Sequence, residues 1–482
     1  MLHKAALAFL ALVSAALQAV PADAGMLQRG VGGIAQTPVL CSSRTNDMGW
    51  NGYADSNGSD TGTNSKIAIT NECGTTGTEW SLVYSNWRVN TTNEQSGTNP
   101  LTVTAKIEFP SGTFTQVYCN GSISCTIPVD ANLVTDPVGL TIPAGSRFWV
   151  KTFVSVNAGE KWPLGYLIST TQSEAVHSSN GEADNTGSTI SNQAGVRGFG
   201  PTAVLGTKFA ASPSHCGTAG VGDSIVMGAT DGNITTQGNT GWLGRAVSGH
   251  CPYINMALTG TKAVDNVPAN FARRLGLLKA AHVVNVVGNY GHNDVNGGRT
   301  AAQIEGDIIS IAQSLRDNGM RVIWSTITSK TTTTDAWATS ANQTVATGGF
   351  SGGAGGVRGT LNAWLRGTPS PLRDVWDMAS LVEVDSSNVL TQDGGRWISY
   401  NAGVGAPSPY LTNAGGTSTA ATTDGIHPSV TGTGTTGGVY ILRDYGITKI
   451  YQLNELDLSR WSGRHLLQPP ANDNAEEVAD AA

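Results

Sequence analysis

The stretch that decides the fold begins at His282 and reads H-V-V-N-V-V-G to Gly288. It continues through Ala301 to Asn318 and into Arg321 to Thr328. The first segment is a compact apolar run of strand length, rich in β-branched residues. The second has helical spacing. Ile304, Ile308, Ile309, Ile311, Ala312 and Leu315 form one apolar stripe, and Gly319 is a fitting stop. The third is again a strand. Leu381 to Val384 reads as another, and Val430 to Tyr445 as a last helix. Strand, helix, strand in this rhythm predicts an α/β domain with a mainly parallel sheet.

Upstream the texture differs. Leu101, Val103, Ala105, Ile107 and Phe109 alternate with Thr102, Thr104, Lys106 and Glu108, the period of a strand with one buried face. Phe148 to Val156 is apolar enough to be a strand buried on both faces. Glu79 to Val89 is a third, carrying Trp80, Tyr84 and Trp87. Short strands, frequent turns and no convincing helix predict an all-β sandwich or jelly-roll-like domain. A Thr/Gly-rich insertion from about Ser329 includes the glycine run Ser351 to Gly356. No Gly-Lys-Ser/Thr follows that run, so it is not a phosphate loop. The Pro- and Asn-containing acidic end beyond Gln468 reads as a disordered tail.

The N-terminus has the pattern of an export signal. His3 and Lys4 are basic, Ala5 to Val20 is mostly apolar, and Ala22-Asp23-Ala24 is a small-x-small cleavage site. Cleavage after Ala24 would release a secreted or periplasmic protein. The expected organisation is therefore a signal at 1–24, a β-rich accessory domain at 25–196, an α/β domain at 197–466 and a tail at 467–482. No other stretch is long and apolar enough to span a bilayer, so stable membrane insertion is not expected.

The net charge of −7 over 482 residues, with no basic patch interleaved with aromatics, gives no footing for nucleic acid. Six cysteines in an exported chain suggest disulfides. Sequence-order pairing gives Cys41 with Cys73, Cys119 with Cys125, and Cys216 with Cys251. This is one of about fifteen connectivities. No spacing of metal-ligand type occurs.

Three short strings carry chemistry: Gly222-Asp223-Ser224-Ile225, Gly291-His292-Asn293-Asp294 and Asp424-Gly425-Ile426-His427. Each alone is an ordinary turn. Together they supply a nucleophile, an oxyanion donor, and a base with its orienter. A serine hydroxyl needs a base to take its proton, and imidazole titrates near neutrality. Asp424, three residues before His427, is spaced to fix the tautomer. Asn293 follows the 282–288 strand and offers a side-chain N–H. Asp223 and Asp294 read as structural, bonding loop amides. His292 reads equally as a cleft residue or an exposed loop histidine. Asp60-Thr61-Gly62 has no partner triplet and reads as a turn, and no G-x-S-x-G elbow is present.

These strings resemble the conserved blocks of the SGNH (GDSL-type) hydrolases, over about Phe199 to Gly463. The resemblance implies a three-layer α/β/α domain, a catalytic set of Ser224, Asp424 and His427, and an oxyanion hole from Ser224, Gly260 and Asn293. Gly249 competes with Gly260 for the glycine position. It implies no metal and no cofactor. One departure stands out: Cys216 to Val221, the expected first strand, is small and polar for a buried position.

The expected activity is a secreted serine esterase acting on carboxylic esters through an acyl-enzyme. Export plus an appended β domain resembles enzymes that deacetylate polysaccharides, which makes an acylated polysaccharide one candidate substrate. Trp80 and Trp87 read as core residues before sugar platforms. A polysaccharide O-acyltransferase or a lipase is the alternative within the same family. A surface carbohydrate-binding protein with an inert hydrolase-like half is the alternative of another class.

Overall fold

The alternation at Leu101–Glu108 becomes a strand that buries Leu101, Val103, Ala105 and Ile107. In the computed structural model this strand pairs antiparallel with Arg147–Ser155, which pairs in turn with Gly62–Thr70. Ala175–Ser179, Phe114–Gln116 and Cys125–Ile127 complete a six-stranded sheet. A five-stranded sheet combines Gln36–Leu40, Ala203–Phe209, Gly77–Ser85, Val138–Ile142 and Asn132–Val134. The two inner faces share one core, with Trp80, Leu82 and Tyr84 from one and Ile67, Ile107 and Phe148 from the other. Tyr84 Oη and Thr152 Oγ1 hydrogen-bond across it at 2.8 Å.

The structure describes residues 36–43, 55–89, 94–165, 172–194, 196–209, 216–231, 240–351, 355–399, 411, 420–430 and 437–458. The export signal at 1–24, the tail at 467–482 and the centre of the glycine run, 352–354, lie outside the described residues.

Several local expectations need correction. The run from Glu79 to Val89 breaks at Asn86, giving Gly77–Ser85 and Trp87–Val89. The Asn86 amide donates to the carbonyls of Asn99 and Ile127, which turns the chain there. Arg147–Ser155 is not buried on both faces. Phe148, Val150 and Val154 enter the core, while Trp149 and Phe153 are only half-buried. Trp80 and Trp87 are both fully buried. Their indole N–H groups donate to the Leu140 carbonyl and the Asn132 side chain, each at 2.8 Å, so neither face is open to a ligand.

The second half is built on a five-stranded parallel sheet. Its order is Tyr253–Asn255, Thr218–Val221, Asn285–Gly288, Arg321–Ser325 and Asp374–Trp376. Numbered along the chain, this is 2-1-3-4-5. The order in which strands are added reverses between the first and third strands, and ligands of open α/β sheets bind outside the carboxyl ends of the strands at such a switch point. Ser224 follows the first strand and Asn293 the third.

Thr218–Val221 is fully buried and paired on both sides. Its small residues are required by its neighbours. A Cβ on Gly220 would lie 2.3 Å from Tyr253 Oη and 2.8 Å from Val226 Cγ1. The strand is small because large side chains from its surroundings fill the space above it.

The helix expected over 301–318 runs Ala301–Asp317, opened by a capping box between Thr300 and Gln303. Ile304, Ile308, Ile311, Ala312 and Leu315 are buried, but Ile309 is 39% exposed and leaves the stripe. Leu381 to Val384 is a helical turn, Ala379–Val382, followed by a two-residue strand, Glu383–Val384. The strand that joins the parallel sheet there is Asp374–Trp376, too short to show a period. The last helix begins later than expected, at Gly438, and runs to Leu458.

Disulfides join Cys41 to Cys73, Cys119 to Cys125 and Cys216 to Cys251. The last ties the start of the Ser224 strand to the turn before Tyr253–Asn255. One continuous core contains Leu40, Val83, Trp87 and Leu205 from the antiparallel part. The same core contains Ala219, Val221, Met256 and Leu277 from the parallel part. Glu94 adds polar clamps, accepting from the backbone amides of Arg273 and Arg274 at 2.8 Å. Among the described residues no helix is long and apolar enough to cross a membrane.

Candidate active site

Ser224 is the first residue of a one-turn helix, Ser224–Met227, directly beyond the carboxyl end of the strand Thr218–Val221. Asp223 caps that turn, its Oδ1 accepting from the Ile225 amide at 2.9 Å. Capping fixes the direction of the Ser224 side chain, which is 8% exposed.

His427 reaches the same point from the other end of the sequence. Its Nε2 lies 2.7 Å from Ser224 Oγ, and its Nδ1 lies 2.6 Å from Asp424 Oδ2. With Nδ1–H donating to the carboxylate, Nε2 is the acceptor for the serine proton. The other oxygen, Asp424 Oδ1, accepts from the amides of Ile426 and His427, both at 2.9 Å. Burial pushes the Asp424 carboxyl up. The hydrogen bonds from the His427 ring and amide outweigh it and hold the group at about 2. The carboxylate is thus charged wherever the imidazole is useful.

The loop carrying this pair is clamped on several sides. The Gly425 carbonyl accepts from the Thr331 amide at 2.9 Å and the Trp397 indole at 3.0 Å. Ser429 Oγ accepts from the Thr423 amide at 3.0 Å and contacts Thr230 Oγ1 at 3.0 Å, beside the Ser224 turn. Sequence reasoning missed these clamps. Thr331, Trp397 and Ser429 belong to no motif, and only the tertiary fold brings them to the loop.

The side carrying Gly260 and Asn293 is equally well pinned. The Leu258 amide donates to the Gly222 carbonyl at 2.9 Å, and Thr261 Oγ1 donates to it at 3.4 Å. The turn containing Gly260 is therefore tied to the residue two before Ser224. Asn293 lies in the first turn of His292–Asn296. Its Nδ2 donates to the Thr261 carbonyl at 3.1 Å. A carboxamide has two N–H donors. The bond to Thr261 takes one of them and fixes the side chain.

Gly249 stands at the opposite end. It precedes Tyr253–Asn255, beside the Cys216–Cys251 bridge, and so faces the amino ends of the strands. The structure brings Ser224, Asp424 and His427 into contact, ties the Gly260 turn to Gly222 and Asn293 to Thr261, and places Gly249 at the other end of the sheet. Replacing Asn293 by Ala is expected to lower kcat by about 10²–10³-fold, with KM changed far less. Steady-state kinetics on a nitrophenyl ester read this directly.

Three buried groups frame the site. Asp294 Oδ2 accepts from the Ala263 amide at 2.8 Å and tethers the Asn293 turn to the Gly260 loop. His292 is neither exposed nor ambiguous. It is 3% exposed, packs on Phe350 with ring centroids 4.8 Å apart, and is pushed down to about 3 by burial. It therefore stays neutral. Asp223 is completely buried, with no partner for Oδ2, and burial pushes it up to about 7 despite the Ile225 amide.

The raised Asp223 value has a signed consequence. Below the unfolded carboxyl range, near pH 4, both states are protonated and stability is unaffected. Between about pH 4 and about pH 7 the unfolded chain ionises first, so stability falls as pH rises. Asp223→Asn keeps the cap acceptor and removes the ionisation. Its melting temperature relative to wild type is expected to be higher at pH 8 than at pH 4.5. Thermal unfolding at the two values checks this, and a gap that is the same at both contradicts it.

No protein-family model matches this chain, and no curated protein matches it. Solved structures do align with it. A Bacillus subtilis protein aligns over 80% of each chain at 12% identity, with TM-score 0.33. A carbohydrate esterase family 3 from Talaromyces cellulolyticus aligns over 50% of this chain and 98% of its own, at 15% identity and TM-score 0.29. A GDSL-like lipase from Bacteroides thetaiotaomicron aligns over 50% and 88%, at 16% identity and TM-score 0.28. The chain resembles the SGNH (GDSL-type) hydrolases.

Proposed function

We propose that this chain is an exported serine hydrolase of carboxylic esters, of the SGNH type, with an ester of a polysaccharide hydroxyl as its substrate. The observation that carries the hydrolase reading is the line of contacts Ser224 Oγ, His427 Nε2, His427 Nδ1, Asp424 Oδ2, at 2.7 and 2.6 Å.

In this reading Ser224 Oγ attacks the ester carbonyl as His427 takes its proton. Negative charge gathers on the carbonyl oxygen. The backbone amides of Ser224 and Gly260 and the carboxamide of Asn293 stabilise it. Asp424 holds the imidazolium and its tautomer. The proton then passes from His427 to the departing alcohol, leaving an acyl-Ser224. A water deprotonated by His427 attacks that acyl group, and the carboxylic acid leaves as Ser224 regains its proton. Ser224 supplies the electron pair and the proton of the first half-reaction, and water supplies those of the second.

Export is supported by the leader-like pattern before Gly25 and fits the three disulfides. The antiparallel sheets support a polymer substrate only through their presence beside the catalytic half, since Trp80 and Trp87 are both committed to the core. The test is turnover of nitrophenyl acetate by the full chain and by its Ser224→Ala variant. Equal rates in folded proteins would remove the proposed nucleophile.

A further inference from the structure

Among the described residues, Trp337 is a tryptophan that no core cluster takes up. Of the tryptophans in described residues, Trp80, Trp87, Trp162, Trp242, Trp324, Trp376 and Trp397 are fully buried. Trp364 packs against the main core, and Trp149 lies under Lys66 Nζ at 4.6 Å. Trp337 is half-buried and, among the described residues, belongs to no core cluster.

Its position is bought with backbone strain. Ala336 and Trp337 have φ of 54° and 62°, the left-handed region that bulky residues avoid. Asp335 holds them there. Its carboxylate accepts from Thr333 Oγ1 at 2.6 Å, Thr339 Oγ1 at 2.6 Å, the Thr339 amide at 3.0 Å and Asn342 Nδ2 at 3.0 Å. The Trp337 indole N–H is fixed by Thr331 Oγ1 at 2.9 Å. Strain over-determined in this way gathers at ligand clamps.

The ring is held against the catalytic base loop. A Cβ built on Gly425, two residues before His427, would lie 2.9 Å from Trp337 Cζ2. Thr331 holds the indole N–H, and the Asp335 carboxylate gathers Thr333, Thr339 and Asn342 in the same turn; among the described residues the ring joins no core cluster. A half-buried indole in a turn rich in hydroxyl, amide and carboxylate groups matches a pyranose, which has C–H faces and a hydroxyl rim. It does not match an acyl chain, which wants an apolar wall throughout.

We propose that Trp337 is the platform on which the sugar ring of an acylated oligosaccharide stacks, placing its ester beside Ser224 and His427. The proposal rests on the esterase reading for its chemistry, and it makes Trp337 a specificity-determining residue for the alcohol half of the ester.

The experiment compares the full chain with its Trp337→Ala and Trp337→Phe variants. The substrates are acetylated xylo-, manno- and gluco-oligosaccharides and nitrophenyl acetate. Trp337→Ala is expected to lose at least about 10-fold more kcat/KM on the preferred oligosaccharide than on nitrophenyl acetate, chiefly through KM, with Trp337→Phe between the two. Equal losses on all substrates would reduce Trp337 to a structural role and overturn the proposal. So would a wild type that turns over nitrophenyl acetate and none of the oligosaccharides, or a loss that tracks acyl length.

A binding arm keeps the two readings apart. The Ser224→Ala chain is titrated with the same oligosaccharides while indole fluorescence is recorded. A saturable change that is lost in Ser224→Ala/Trp337→Phe supports the platform even if no ester is hydrolysed. An unchanged titration, or none in either protein, overturns it.

Discussion

Ser224→Ala is expected to fold normally and to lose roughly 10⁴-fold or more in kcat on nitrophenyl acetate, by analogy with other serine–histidine sites. The side chain contributes little to packing, since its Oγ points at His427 rather than into a core cluster. The Asp223 cap bonds the Ile225 amide and survives the change. Melting temperature should therefore move little while turnover collapses. His427→Ala should lose about as much, and the double variant scarcely more than either, because the two groups act as one unit. Kinetics of the three proteins beside their unfolding curves separate loss of chemistry from loss of fold.

Gly425→Ala is expected to have the next largest effect, and through a different route. Gly425 has φ of 77°, where a side chain is strained. An added Cβ would lie 2.0 Å from the Thr331 carbonyl oxygen and 2.9 Å from Trp337 Cζ2. The first neighbour is backbone in the strand Thr331–Thr333 and cannot swing aside. The loop itself must shift, and it carries Asp424 on one side and His427 two residues on. A displacement of roughly 1 Å at a catalytic group costs about 10²-fold in rate. The expected result is a fall in kcat of at least that size together with about 1–3 kcal/mol of destabilisation. Full kcat in this variant would show that the loop position is not what holds His427 on Ser224.

Much of this site is legible in the sequence because its chemistry is local. Asp424 and His427 find each other across three residues, and Asp223 caps the turn that begins with Ser224. The parallel sheet is legible where strands are long and apolar, as at 285–288 and 321–325. It is illegible at Asp374–Trp376, whose three residues show no period, and Leu381 to Val384 drew the strand assignment instead. The small, polar strand before Ser224 seemed a defect for the same reason. Its need for Gly220 is set by Tyr253, Val226 and Leu243, which lie elsewhere in the chain. Ile309 shows the opposite limit. It is apolar and near the stripe, yet the helix turns it outward.

The long Thr/Gly-rich insertion is the part least visible beforehand. Nothing in its composition says that Thr331 would clamp Gly425, that Gln343 would bond the Trp397 carbonyl at 2.8 Å, or that Asp335 would hold Trp337 in a strained conformation. These are long-range or conformational facts. They convert a low-complexity segment into the frame of the base loop.

The claim at the centre of this account is that His427 activates Ser224 as a nucleophile. A fluorophosphonate probe tests it most directly, with the modified peptide located by mass spectrometry in wild type and in His427→Ala. Rapid labelling of the wild type at Ser224 alone is expected, with labelling of His427→Ala slower by orders of magnitude. No label on folded wild type, a label on another residue, or equal rates in the two proteins would contradict it.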